Sequence, residues 1–394
     1  EARARVVVTG VGSICSAGRG PAALWDLVTS DTDGHVESRV AHLDFSDRFT
    51  EKQRRRLARF AQFGVVAGLD AVEQANATAV DPEWAAVVVG TGLGGTAELI
   101  DAALGVERRT TRVVNPLLIP SALHTAAAST LSMRLGWFGP CETVSAACAT
   151  GTVAIGRAMR LIQNREAKVA VAGGADGGDA TVLGRALQRM QVTSKKGAVR
   201  PFDVARDGFV ASEGAAALVL EDAEHATARG VQILGELLGF ASTSDAYSIG
   251  APAPEGTGAA RCISRALLDA GIDASAIQHV NCHGSATELN DLAEAAAINS
   301  LFGTDVPITS VKGNLGHCGG AAGALEALCV LLAFQHTALP VTSGHHTFDP
   351  GLASVNVVAA ASADARCWTP GVSVSNSLGL GGHNAALVVA PYHG

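Results

Sequence analysis

Short runs rich in valine and alanine recur along the chain: ARVVVTG near the start, then AAVVVG (85–90), KVAVAGG (168–174), AAALVLE (215–221), HVNCHG (279–284), VSVSNS (372–377) and AALVVA (385–390). Runs this short, apolar on both faces and bounded by Gly or polar residues, predict strands buried on both sides of a sheet. Between them the apolar positions shift to helical spacing over Thr150–Gln163, Gly258–Ala270, Asp291–Phe302 and Ala321–Gln335. The alternation predicts an α/β protein in which helices cover mostly parallel sheets. A charged segment, EDAEHATARG (221–230), interrupts the apolar texture and the alternation restarts after it. This places a boundary between an N-terminal half, residues 1–229, and a C-terminal half, residues 230–394.

Composition narrows the class. With 394 residues, 48% hydrophobic and 17% charged, the chain can bury a large core and leaves little room for disorder. A net charge of −8 excludes general nucleic-acid binding, which needs a basic face. No uninterrupted apolar run reaches the roughly 18 to 20 residues of a membrane-spanning helix, and EARARVVVTG enters a strand without a signal-peptide layout, so a cytoplasmic protein is expected. Its eight cysteines are scattered without a CxxC pair, which implies neither disulfides nor a zinc site.

Candidate chemistry centres on Cys148 in CETVSAACATGTVAIG, where a strand-like run gives way to a helix. Helix-terminal amides and the helix dipole there predict a thiolate, below the usual thiol pKa of about 8.5. Taken alone, a buried structural cysteine is the simpler reading. Two other segments shift the balance. HVNCHGSATELND brings His283 with Ser285, Thr287, Asn290 and Asp291, and SVKGNLGHCGGAAGALE brings Lys312, His317 and Glu326. One nucleophile, two imidazoles, a lysine and a carboxylate form the set that thioester condensation requires. Gly379–Gly382, between the last two strands, offers backbone amides that approach a carbonyl closely.

These blocks, with VVVTGVG, RPFDVARDGFVASEGAAALVLE (200–221) and NSLGLGGHN in the same order, resemble the elongating β-ketoacyl-acyl-carrier-protein synthases, the Cys-His-His ketosynthases of fatty-acid and type II polyketide synthesis. The resemblance runs almost end to end. It implies a thiolase-like five-layered α-β-α-β-α fold of two similar halves, usually dimeric. It also implies decarboxylative condensation of an acyl group on Cys148 with malonyl-acyl carrier protein. His283 and His317 then resemble the pair that promotes decarboxylation, Lys312 and Glu326 the supporting ion pair, and the Cys148 and Leu380 amides the oxyanion hole. Ser285 and Thr287 match positions that bind the phosphopantetheine arm of the carrier protein, although the family has Thr at the first. No metal or redox cofactor is implied. The dimer partner is either an identical chain or a related ketosynthase-like subunit.

One departure stands out: the family reads FGFGG where this chain has Leu378 and Leu380, so the gate beside the nucleophile is smaller. A basic run, EKQRRRLARF, suggests that Lys52, Arg55 and Arg56 dock an acidic carrier protein. GTGLGG (90–95) fits a dinucleotide-binding pattern, but lacks the ribose-binding context that would give it weight. His345 and His346, adjacent in a loop, read as loop histidines rather than metal ligands. Two other readings remain open on sequence alone: a silent chain-length-factor-like partner subunit, and a thiol hydrolase or acyltransferase without condensation.

Overall fold

The structure is a computed structural model that describes residues 3–40, 43–110, 114–177 and 181–393. Its strands are β1 (Val6–Cys15), β2 (Gly18–Arg19), β3 (Ala85–Gly90), β4 (Cys141–Glu142), β5 (Val169–Asp176), β6 (Gly214–Asp222), β7 (Gly235–Ser244), β8 (His279–Asn281), β9 (Pro307–Thr309), β10 (Asn356–Val357), β11 (Ser373–Gly379) and β12 (His383–Ala390). The helices that cover them are α1 (Arg59–Gln74), α2 (Ala126–Leu135), α3 (Thr150–Gln163), α4 (Thr257–Ala270), α5 (Glu288–Phe302) and α6 (Ala322–His336).

The strands follow the order β10-β9-β8-β11-β12-β7-β1-β6-β5-β3-β4, with β2 paired to β1. The order conceals a repeat. In the first half β4-β3-β5-β6-β1 runs third-second-fourth-fifth-first, and in the second half β9-β8-β11-β12-β7 runs the same way. Pairing directions match too: β3 is parallel to β4 and β5, as β8 is to β9 and β11, while β5–β6, β11–β12, β1–β6 and β7–β12 are antiparallel. The halves meet where Val6–Val8 of β1 pairs antiparallel with Gly235–Leu237 of β7.

Helices α3 and α6 pack against each other and against strands of both halves, α1 and α2 cover the outside of the first sheet, and α4 and α5 cover the second. This is the five-layered α-β-α-β-α arrangement that the family resemblance implied, but the sheet is mixed rather than mostly parallel, because β1, β6, β7 and β12 pair antiparallel. Every residue of α6 from Ala322 to Phe334 is buried, including Glu326, because the helix meets protein on all sides. By length and composition Gly319–His336 would suffice to cross a membrane, which the search for uninterrupted apolar runs missed; 83% of it is packed inside the protein.

Most predicted elements are present, with shifted ends. HVNCHG is strand only over His279–Asn281, and the run before Cys148 holds strand only at Cys141–Glu142. GELLGFASTS, which forms the ten-residue β7, escaped the strand search because it lacks a β-branched run.

Candidate active site

The second, third and fourth strands of each half end at one cleft of about 660 Å³, the usual place for ligands in open α/β sheets. Cys148, His283, Ser285, Thr287, His317, Leu378 and Leu380 all line it. Residues more than 100 positions apart in sequence therefore share one cavity.

Cys148 stands two residues before α3, whose N-cap is Ala149. Ala147 holds φ at 49°, a left-handed conformation that costs a non-glycine residue about 1 to 3 kcal/mol and turns the next side chain into the cleft. Thr150 ties this elbow down: its hydroxyl donates to the Ala147 carbonyl at 2.6 Å and accepts the Ala146 N–H at 2.8 Å. The thiol does not rest ionised, contrary to the sequence-based expectation. Burial pushes its pKa up to about 11, outweighing the pull of Lys312 and of the Leu380 N–H, which bonds the sulfur. Cys148 is half-buried in the cleft wall, where losing water costs a thiolate more than nearby dipoles return.

The two imidazoles face each other with ring centroids 5.3 Å apart and planes at 76°. His283 Nδ1 lies 3.3 Å from Lys312 Nζ, which has only protons to donate, so Nδ1 accepts and Nε2 carries the hydrogen. His317 Nδ1 accepts the Gly319 N–H at 3.2 Å, and the same tautomer follows. Burial, reinforced by the Lys312 charge, holds both imidazoles well below the ordinary histidine range. Both are therefore neutral rings with one Nε2–H each.

Lys312 is fully enclosed and bonds Glu326 and the His283 carbonyl, the latter at 2.6 Å. Burial raises the Glu326 pKa against the opposing pull of Lys312. Two carboxylates on one face of α5 brace the His283 loop. Glu294 accepts the N–H groups of His283 and Gly284, both at 2.7 Å, while Asp291 accepts those of Phe202 at 2.7 Å and Ala286 at 3.1 Å. Desolvation lifts the Asp291 pKa to about 7. Asn376 Nδ2 adds a 2.8 Å bond to Glu294. His317 is fixed from the other side, its N–H on the Val210 carbonyl at 2.8 Å and its ring edge-on to Phe209.

Sequence reasoning missed Glu294, Asn376 and Asp176. For Glu294 a signal existed, an acid one helical turn after Asp291 at the edge of the apolar run Ala295–Ile298.

The other candidates sort by contact. Ser285 and Thr287 share a 2.9 Å hydrogen bond at the cleft wall. Leu378 is buried against Ala259 and Ala297, whereas Leu380 is 38% exposed in a turn whose Gly381 and Gly382 have φ of 85° and 79°. Lys52, Arg55 and Arg56 are exposed, and Arg55 makes a 3.4 Å pair with Glu51. Arg59, in the same basic run, is bound internally by Glu213 at 2.6 Å and is not part of an open patch. GTGLGG wraps the carboxylate of Asp176. His345 bonds the Pro201 carbonyl and His346 pairs with Asp33, as loop histidines do. All eight cysteines are free, and no cluster of metal-ligating side chains occurs among the described residues.

Residues 38–226 match the beta-ketoacyl synthase N-terminal domain, and residues 234–346 match the beta-ketoacyl synthase C-terminal domain. A 3-oxoacyl-[acyl-carrier-protein] synthase 2 of Staphylococcus aureus (strain COL) is 34% identical over 407 residues, covering 98% of this chain and 97% of the relative. A synthase of the same name from Synechocystis sp. is 33% identical over 414 residues, covering 98% of each. Among solved structures, a beta-ketoacyl synthase from Burkholderia phymatum STM815 superposes with a TM-score of 0.91 at 27% identity, covering 99% of this chain and 100% of that one. The ishigamide ketosynthase/chain length factor superposes at 0.90 with 29% identity over 100% of both chains. Agreement in sequence along nearly the whole chain, on a shared fold, shows that this chain belongs to the β-ketoacyl synthase family.

Proposed function

We propose that this chain catalyses decarboxylative condensation of an acyl group on Cys148 with malonyl-acyl carrier protein, giving a 3-oxoacyl-acyl carrier protein in fatty-acid or polyketide elongation. The observation that carries this reading is the pair of neutral imidazoles, each with a free Nε2–H, lining the same cleft as the cysteine. Two fixed donors in a dry site stabilise the oxyanion of a malonyl-derived enolate far better than water does.

In the first half-reaction the Cys148 sulfur bonds the acyl carbon, the carrier thiolate leaves, and the cysteine proton goes with it. The amides of Cys148 and Leu380 stabilise the transient oxyanion. In the second, the bond between the malonyl carboxylate and its α-carbon breaks and releases carbon dioxide. Nε2–H of His283 and of His317 holds the enolate oxygen. The α-carbon then attacks the acyl carbonyl and Cys148 leaves as thiolate. Substrates arrive on the phosphopantetheine arm, guided by Ser285 and Thr287, and every step draws on protein groups alone.

Two partners follow. An acidic carrier protein docks on exposed Lys52, Arg55 and Arg56; one related solved structure is described as a type II PKS acyl-carrier protein in complex with its ketosynthase. A second subunit, identical or ketosynthase-like, covers exposed apolar side chains such as Ile119, Met133 and Phe138. A silent partner subunit needs no nucleophile, and the intact Cys148–His283–His317 set favours the active reading.

Intact-mass spectrometry after incubation with a panel of acyl carrier proteins tests the proposal. One acyl adduct is expected, absent in Cys148→Ala, with malonyl-dependent release of a 3-oxoacyl product. Adduct formation without that product would leave only a thiol acyltransferase or hydrolase, and no adduct would favour the silent subunit.

A further inference from the structure

Asp176 closes β5 with its carboxylate almost entirely enclosed. Oδ1 accepts the Thr91 hydroxyl at 2.5 Å and the Leu93 N–H at 3.2 Å; Oδ2 accepts the N–H groups of Gly92 at 3.1 Å and Gly320 at 2.5 Å. Four donors converge on two oxygens, the Thr91 hydroxyl being turned to donate because its oxygen accepts the Gly94 N–H, a pattern that fits the ionised form. Burial alone raises its pKa, and the donors oppose that.

The cage admits no larger residue. A Cβ on Gly92 would lie 2.8 Å from Asp176 Oδ2, one on Gly319 2.5 Å from it, and one on Gly320 2.5 Å from the Gly92 nitrogen. GTGLGG is thus a cradle for an internal anion rather than for a nucleotide phosphate.

The cradle touches the site at two points. Gly320 donates to Asp176, while the adjacent Gly319 N–H is the one that bonds His317 Nδ1 and sets that ring's tautomer. Asp176 also lines the cleft.

We infer that Asp176 is a positioning residue: through the Gly319–Gly320 turn it keeps His317 oriented with Nε2 protonated. This rests on the condensation reading above.

The experiment compares the parent with Asp176→Asn and Thr91→Val, each as the whole chain. Asp176→Asn is expected to slow decarboxylation of malonyl-acyl carrier protein by at least about ten-fold, the scale on which loss of an outer hydrogen-bond partner usually acts. Acyl transfer to Cys148 should fall less. Nitrogen NMR of histidine-labelled protein should show His317 losing its single-tautomer signal. Thr91→Val, which removes one donor and keeps the charge, should slow decarboxylation by a smaller factor, and it carries the test should Asp176→Asn not fold. Equal loss in both half-reactions, or an unchanged His317 signal in Asp176→Asn, overturns the inference; an unaltered decarboxylation rate in Thr91→Val does so too. A parent that never condenses refutes the proposed function instead, and the histidine NMR still reads the coupling of Asp176 to His317.

Discussion

The strands that end at the cleft correspond one to one between the halves, but the residues after them do not. After β3, β4 and β5 the first half places the Thr91–Gly95 loop, Cys148 and Asp176. After β8, β9 and β11 the second half places His283, the Lys312–His317 segment and the turn carrying Leu380. Each half braces the loop after its second strand with a buried carboxylate, Asp176 in one and Glu294 in the other. Cys148 stands on the first half, while the second carries both imidazoles and the enclosed ion pair. Duplication of a layer architecture thus supplied two sets of strand ends, and their side chains diverged in kind.

This division predicts different costs on the two sides. The largest effect is catalytic and belongs to the first half. Cys148→Ala should lower condensation by about 10⁴-fold or more while leaving the thermal midpoint within about a degree or two, because a small thiol at a cleft wall contributes little packing. His317→Ala should retain acylation and lose about 10²- to 10³-fold in decarboxylation, measured by carbon dioxide release.

Next comes stability, where the second half is the fragile one. Lys312→Met strands Glu326 without its partner and should destabilise the protein by about 3 to 5 kcal/mol in urea unfolding. Restoration of part of that loss in Lys312→Met/Glu326→Leu would show that the uncompensated charge, rather than lost packing, is responsible. An unchanged midpoint in the single variant would break the contrast between the halves.

A smaller effect separates the equivalent strands β3 and β8. β3 is AAVVVG throughout, whereas β8 buries His279, whose Nε2 lies 2.9 Å from the Thr309 hydroxyl and whose pKa burial lowers to about 3. The unfolded ring, near its ordinary value of about 6.5, takes up a proton first, so stability from the neutral ring is present above that pH and is lost as pH falls toward the folded value. Between pH 6.5 and 4 the parent should lose about 1.4 kcal/mol per pH unit relative to His279→Gln. Parallel pH profiles for the two proteins would show that His279 does not contribute.

The smallest expected effect lies on the surface of the first half. Arg55→Glu/Arg56→Glu should raise the KM for carrier-borne substrate several-fold, more at low salt than at high, and leave small-thioester acylation unaltered. An equal effect on both substrates would place the patch outside the docking route.

Much of this was legible in the residues. Strands with apolar side chains on both faces, helices between them and the blocks around Cys148, His283 and His317 pointed to the layered fold and to the site. The sequence also held Lys312 and Glu326 in one block, but their pairing came only from the resemblance, because they stand on two different helices and meet through the fold. It did not reveal the state of the cysteine. Rules for helix termini predict a thiolate, and only burial, a property of the whole assembly, reverses the sign. Nor did it reveal Asp176, whose partners come from residues 91–93 and 320 and share no local pattern.

The sequence by itself thus determined the layered architecture and the family and singled out the candidate site residues, because periodicity and motif chemistry are local. Tertiary structure alone decided the histidine tautomers, the protonated thiol, the internal use of GTGLGG and the inward turn of Arg59. Each depends on which distant donors and charges surround a group after water has been removed, and no stretch of neighbouring residues encodes that.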